Sequence, residues 1–346
     1  VQGILQILGG LCLFVLAAMV VGLLVLRLKF RKLKEDLESA TPGAIPRTLN
    51  LLPRTMVAWS DAQTAQIHED DFLLHGFQSD GIFEAAEMPG LFIHGFVHPG
   101  RSLFGALYDH PAAGLVFDVV QKTLDGRGLT VTNTAQGGEM DTMPGKVSVR
   151  IDGGDVGQVM QAWEENRLEG PYVPAEPGTF KEVFENSYRD TMTWRATRGG
   201  ATAEEIRRVA LARGKTLDAA KEELVLEAQR REANSHLHSI LETKFLAESG
   251  VTALEWEEIQ DRLTIIHDNL LRVEVQECLS IAMEAEDDQD FSGDEKEEGL
   301  GFEVPDMPAR DAFAAVNATF SPNREFTMRW QCEEPVAADF YLAPLD

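Results

Sequence analysis

Residues 91–134 read LFIHGFVHPGRSLFGALYDHPAAGLVFDVVQKTLDGRGLTVTNT, a series of short apolar runs cut by turn formers. Leu91 to His98 stops at Pro99-Gly100, and Ser102 to Tyr108 stops at Asp109-His110-Pro111. Leu115 to Lys122 ends at Asp125-Gly126, and an Asp-Gly pair between apolar runs is a strong hairpin signal. Gly128 to Thr134 then sets Leu129 and Val131 against Thr130 and Thr132, the period of two that a pleated strand needs. Short strands joined by tight turns predict an antiparallel β-meander. Lys146 to Ile151 alternates again, and Ala65, Ile67, Phe72, Leu73 and Leu74 suggest a helix over 61–76. Residues 55–152 are therefore read as a small α+β domain.

Towards the C-terminus the period lengthens. Val156, Val159, Met160 and Trp163 form one amphipathic helical face, and Phe180, Val183, Phe184, Tyr188, Met192 and Trp194 form another. Thr202-Ala203-Glu204-Glu205 reads as an N-cap followed by acidic first-turn residues. A long helix is expected from Leu217 to Leu246, stopped by Gly250. A partner helix from Ala253 to Met283 is expected from the 3–4 spacing of Ile259, Leu263, Ile266, Leu270 and Val273, giving a helical hairpin. Residues 153–283 are thus read as mainly α-helical. Residues 284–299 are acidic and nearly free of apolar side chains, the composition of a solvated linker. Residues 300–346 carry Phe302, Phe313, Phe320, Phe326, Trp330, Phe340 and Tyr341, an apolar tail that must pack on its own domain or on a partner.

Towards the N-terminus, residues 41–54 contain Pro42, Pro46 and Pro53 and read as a linker. Residues 1–40 read as an anchor and stalk. Val1 to Leu26 is an uncharged, almost wholly apolar run, long enough for a hydrocarbon core that needs roughly 20 helical residues. Arg27, Lys29, Arg31, Lys32 and Lys34 follow at once and predict a single-pass helix with its N-terminus outside and the bulk of the chain cytoplasmic. Gly10, Ala17, Ala18 and Gly22 are small enough to let a second helix approach in lipid. The expected partners are therefore the bilayer and either other membrane subunits or a second copy of this chain.

The chain carries 57 acidic and 31 basic residues, a net charge of −26, which argues against nucleic acid as a partner. Cysteines are few, with no paired spacing that would suggest a disulfide framework or a metal knuckle. Gly214-Lys215-Thr216 resembles the end of a P-loop, but Val209 stands where that motif needs glycine. Asp288, Asp290 and Ser292 open like a calcium loop, yet Gly299 occupies the position of its closing glutamate, so only weak cation binding is expected there. No sequence motif calls for a cofactor.

His94 and His98 share one face of a strand at a separation of roughly 13 Å, too far to hold one metal. With His110 and Asp118 they are the candidates for acid–base chemistry on the sheet. Three readings result. The first is a membrane-anchored, non-catalytic accessory or scaffolding subunit. The second is a membrane-tethered ligand-binding or sensory domain, which requires an apolar cavity with convergent polar groups. The third is a hydrolase-type enzyme using the sheet histidines.

Overall fold

A computed structural model describes residues 46–110, 114–134, 138–284, 303–319 and 325–344. They fall into two compact units, Thr202–Leu226 and the remainder, and the long helix α5 contributes to both.

The larger unit contains a seven-stranded sheet, β1 (Leu51–Arg54), β2 (Gln78–Ala85), β3 (Phe92–His98), β4 (Leu103–His110), β5 (Gly114–Lys122), β6 (Gly128–Thr132) and β7 (Lys146–Arg150), with neighbours in sequence order. The first six strands form the expected antiparallel meander. β7 departs from it by pairing parallel to β6, Gly128 opposite Lys146. The segment read as linker supplies β1. Pro53 is tolerated there because β1 is an edge strand, where a missing N–H breaks no ladder on the open side.

Helices α1 (Ala62–Leu74) and α2 (Val156–Asn166) cover one face. α1 begins at Asp61, whose carboxylate accepts from Gln63 N and Thr64 N at 3.1 Å. Asp155 and Gln158 start α2 with a reciprocal capping box. Phe72 of α1 stacks on Phe96 at 4.5 Å, while Val156, Val159, Met160 and Trp163 of α2 complete this core. Gly105 permits the approach, since a Cβ there would lie 2.7 Å from the Phe72 ring.

Helix α3 (Phe180–Thr197) covers the other face. Its own N-cap, Thr179, makes no side-chain cap bond. Asp80 of β2 does the capping from a distance, accepting from Phe180 N at 2.8 Å and from Gly178 N. Phe180 then seats on Gly95 of β3, where a Cβ would lie 2.2 Å from its ring.

The smaller unit contains α4 (Ala203–Ala212) and the start of α5 (Ala219–Glu248). Thr202 and Glu205 form a capping box at α4, as its sequence suggests. Arg207 makes a two-point bond to Glu222 across the turn, both contacts 3.0 Å. Gly214, in the P-loop-like triplet, closes α4 in the left-handed region at φ +68°.

The expected helical hairpin is not formed. The span read as one partner helix comprises α6 (Ala253–Ile259), a short 3-10 turn, strand β8 (Leu263–His267) and helix α7 (Arg272–Glu284). The Leu263-Thr264-Ile265-Ile266-His267 stretch is rich in β-branched residues, and its apolar spacing serves a strand with both faces covered as well as a helix. The apolar tail supplies what β8 needs: α8 (Ala309–Asn317), β9 (Thr327–Cys332) and β10 (Ala338–Leu342). The strands form a second sheet in the order β8-β10-β9, all antiparallel. Phe313, Phe326, Phe340 and Tyr341 are buried in its cores. Arg310 clamps the buried Asp339 of β10 through contacts of 2.8 and 3.0 Å.

His267 is fully buried in β8, with neither ring nitrogen bonded to a protein group among the described residues. Burial, and then His238 at a ring distance of 5.5 Å, push it down to about 3. The unfolded chain takes up this proton from about pH 6.5 downward while the folded chain refuses it, so stability falls as pH drops. His267→Leu should remove about 2 kcal/mol of this acid sensitivity at pH 5 and leave its contribution near pH 8 unchanged. Urea midpoints of both proteins at the two pH values measure it. Parallel pH profiles would show that His267 is not held neutral.

Candidate functional site

The centre of the larger sheet carries polar groups where its strand pattern asks for apolar ones. β5 reads Gly-Leu-Val-Phe-Asp-Val-Val-Gln-Lys, and its alternation turns Phe117 and Val119 towards α1 and α2. Asp118, Val120 and Lys122 therefore face α3. Opposite Asp118 in the register stands Ala106, a side chain too small to fill the space. The result is a cavity of about 270 Å³ between the central strands and α3, bounded by Phe104, Tyr108, Phe180, Val183, Phe184 and Tyr188.

One end of the cavity is a carboxyl. Asp118 retains contact with the cavity but is surrounded by protein, and this burial lifts its carboxyl to about 6 against the bonding influence of the Thr132 and Tyr108 hydroxyls. The Thr132 hydroxyl has a single proton and also lies 3.3 Å from the Phe117 carbonyl. Burial, reinforced by Asp118, holds the Tyr108 phenol well above its ordinary value. Tyr108 therefore stays a protonated donor throughout the physiological range.

The other end is cationic. Lys122 is four residues from Asp118 on the same strand face, roughly 13 Å along the backbone. Its Nζ donates to Ser187 Oγ at 2.6 Å, and Ser187 donates to Val183 O at 2.7 Å. Burial and then the neighbouring Lys146 make the Lys122 ammonium easier to deprotonate, while Asp190 opposes them. Burial also lowers Lys146, whose Nζ donates to Gly126 O at 2.7 Å. Tyr188, pushed up to about 12 chiefly by burial, donates to Pro46 O at 2.6 Å and fixes the wall. The site is an apolar slot with a carboxyl and a phenol at one end and an ammonium at the other.

The four acid–base candidates do not converge. His94 and His98 lie on the α1 and α2 face with Phe96, and Asp118 lies on the opposite face. His110 ends β4 opposite Gly114, four positions from the Asp118–Ala106 pair. His98 packs edge-on to Phe77 at 5.2 Å. His94 instead joins two residues that its own stretch of sequence does not announce: its Nε2 is 2.7 Å from Ser79 Oγ and its Nδ1 is 2.9 Å from Glu69 Oε1. Of the cavity residues only Asp118 is singled out by the sequence, and there as an acid–base partner of histidines from which the fold separates it. Tyr108, Lys122 and Ser187 look like ordinary strand-end and helix-surface residues.

Asp288, Asp290 and Ser292 lie outside the described residues, as do Gly10, Ala17, Ala18 and Gly22 and the basic set Arg27, Lys29, Arg31, Lys32 and Lys34. Among the described residues no three His, Cys, Asp or Glu side chains are grouped to hold a metal ion, and no helix is long and apolar enough to cross a membrane. No protein-family model, curated protein or solved structure matches the chain.

Proposed function

We propose that the chain is a membrane-tethered ligand-binding domain whose cavity takes a small, mainly apolar molecule ending in an anionic group. The apolar run at residues 1–26 is the tether, and the basic residues after it hold the domain on the cytoplasmic side. The observation that carries the binding reading is the pairing of Asp118 and Lys122 at opposite ends of one apolar cavity. A fold gains nothing in stability from sinking a carboxyl and an ammonium into an unfilled slot without bonding them to each other. Such a slot matches the apolar lining with few convergent polar groups typical of small-molecule sites. Lys122 would hold the anionic end, with Lys146 adding positive potential. Tyr108 and the protonated form of Asp118 would donate to a polar group at the far end.

An accessory-subunit role draws less support. An apolar tail kept for a partner would leave its aromatic side chains uncovered, whereas Phe313, Phe326, Phe340 and Tyr341 are buried within this chain. Lateral contacts through Gly10, Ala17, Ala18 and Gly22 are compatible with either role.

The test uses the full chain in detergent with octanoate, octanol and octylamine as probes. Octanoate should raise the thermal midpoint by several degrees, and the other two should raise it less. Lys122→Gln should weaken octanoate at least about tenfold and leave octanol unchanged. Equal responses to all three probes, or an undiminished octanoate response in the variant, would end this reading.

A further inference from the structure

On the sheet face opposite the cavity, three side chains from three separate elements meet in a line. Ser79 comes from β2, His94 from β3 and Glu69 from α1. We infer that they form a nucleophilic triad that hydrolyses short-chain carboxylic esters, an activity independent of the cavity.

The Glu69 contact selects the imidazole tautomer. An ionised glutamate only accepts, so His94 Nδ1, 2.9 Å from Glu69 Oε1, carries the ring proton. In the neutral ring Nε2 is then the lone-pair nitrogen, and accepts from Ser79 Oγ–H across 2.7 Å. This is the arrangement that an activated serine requires: a base within reach of the hydroxyl and a third group orienting the base. His94 is buried at 7% exposure, while Ser79 is exposed. The base is thus sheltered and the nucleophile is open to substrate.

The backbone at Ser79 is built unusually for a strand interior. Its register with β3 shifts between Ser79 and Gly81, and Gly81 sits at φ +120°, outside the range that side chains readily adopt. A bulge of this kind re-aims side chains next to functional sites. The intervening residue, Asp80, is held by the start of α3, so the bulge is anchored from the other face. β1 pairs only with Ile82–Ala85, which leaves Gln78–Gly81 without a strand on that side among the described residues. Main-chain N–H groups on such an open edge are the donors that a developing oxyanion uses.

The reaction balances within these groups. Ser79 Oγ bonds to the ester carbonyl carbon and passes its proton to His94 Nε2. The tetrahedral intermediate breaks its bond to the alcohol oxygen, which leaves with that proton, and the acyl group stays on Ser79. Water then adds to the acyl carbon, giving a proton to His94, and the carboxylic acid departs as Ser79 recovers its hydrogen. Ser79 is exposed and lies outside the apolar slot described above, so a short acyl group reaches it without entering that slot.

The experiment treats the full chain in detergent with a fluorophosphonate probe, maps the labelled residue by mass spectrometry, and follows steady-state hydrolysis of p-nitrophenyl acetate. Label on Ser79 and multiple turnovers are expected. Ser79→Ala should lose both with an unchanged thermal midpoint, and His94→Ala should fall to the same background. Glu69 is a positioning residue; Glu69→Gln should lower kcat at least about tenfold with little change in KM, because an amide no longer selects one imidazole tautomer. No label on Ser79, or turnover that survives Ser79→Ala, would overturn the inference. So would a single burst without turnover, since hydrolysis requires water to release the acyl group from Ser79. Octanoate binding should be unaffected in Ser79→Ala, so this inference and the cavity reading fail separately.

Discussion

Gly95→Ala should destabilise the larger unit by about 3 kcal/mol, the upper part of the range for overpacking a filled core. The added Cβ would lie 2.2 Å from Phe180 Cδ1, well inside contact distance. Neither side yields freely, although Phe180 borders the cavity. β3 is held between β2 and β4, and the Phe180 ring is stacked between Phe83 at 6.0 Å and Phe184 at 5.6 Å. The relief available is a shift of α3, which would strain the Asp80 cap and open one wall of the cavity. Urea unfolding measures the loss, and octanoate binding should weaken with it. Adding Phe180→Leu to Gly95→Ala should recover part of the stability, because a smaller side chain leaves space for the methyl. A parental midpoint for Gly95→Ala would mean that Phe180 is not seated on β3.

Asp118→Asn should have a comparable effect in the opposite direction. Burial lifts the carboxyl from its ordinary 3.8 to about 6. Above pH 4 the unfolded chain releases this proton more readily than the folded chain, so the group's contribution to stability is full below pH 4 and is lost as pH rises through 6. The loss approaches about 3 kcal/mol above pH 7. An amide carries no such penalty, so the variant should be more stable than the parent by about that amount at pH 8 and nearly equal to it at pH 4. The parent's own pH profile conceals this, because His267 loses stability over the same interval as pH falls. The difference between variant and parent separates the two. A stabilising substitution that weakens ligand binding is the mark of a group retained for function. No gain at pH 8 would show that the carboxyl is solvated and would remove the electrostatic case for the site.

The strands from Phe92 to Lys122 were legible because each apolar run ended near proline or glycine, and β6 because Leu129 and Val131 alternate with threonines. β2 was not, because Gln78-Ser79-Asp80-Gly81 is polar and its bulge breaks the period of two. β7 showed its alternation but not its direction, which is decided by the path of residues 133–145 rather than by the strand's own side chains. β8 was misread because its spacing satisfies both periods, and its partner, β10, lies more than 70 residues away. The same limit applies to function. Asp118 drew notice as a partner for the sheet histidines, whereas Ser79 and Glu69 gain meaning only through His94. Hydrogen bonds between residues 10 or more positions apart leave no local pattern.

The strand order of the smaller sheet sets a sequence of assembly. In the meander from β1 to β6 each strand pairs with the one made just before it, so hairpins can close in turn as the chain is synthesised. β8 and β9 cannot follow that course. They do not pair with each other, and the strand between them is β10, the last of the three to be made. A chain cut before Ala338 would keep both outer strands and lose the one that joins them.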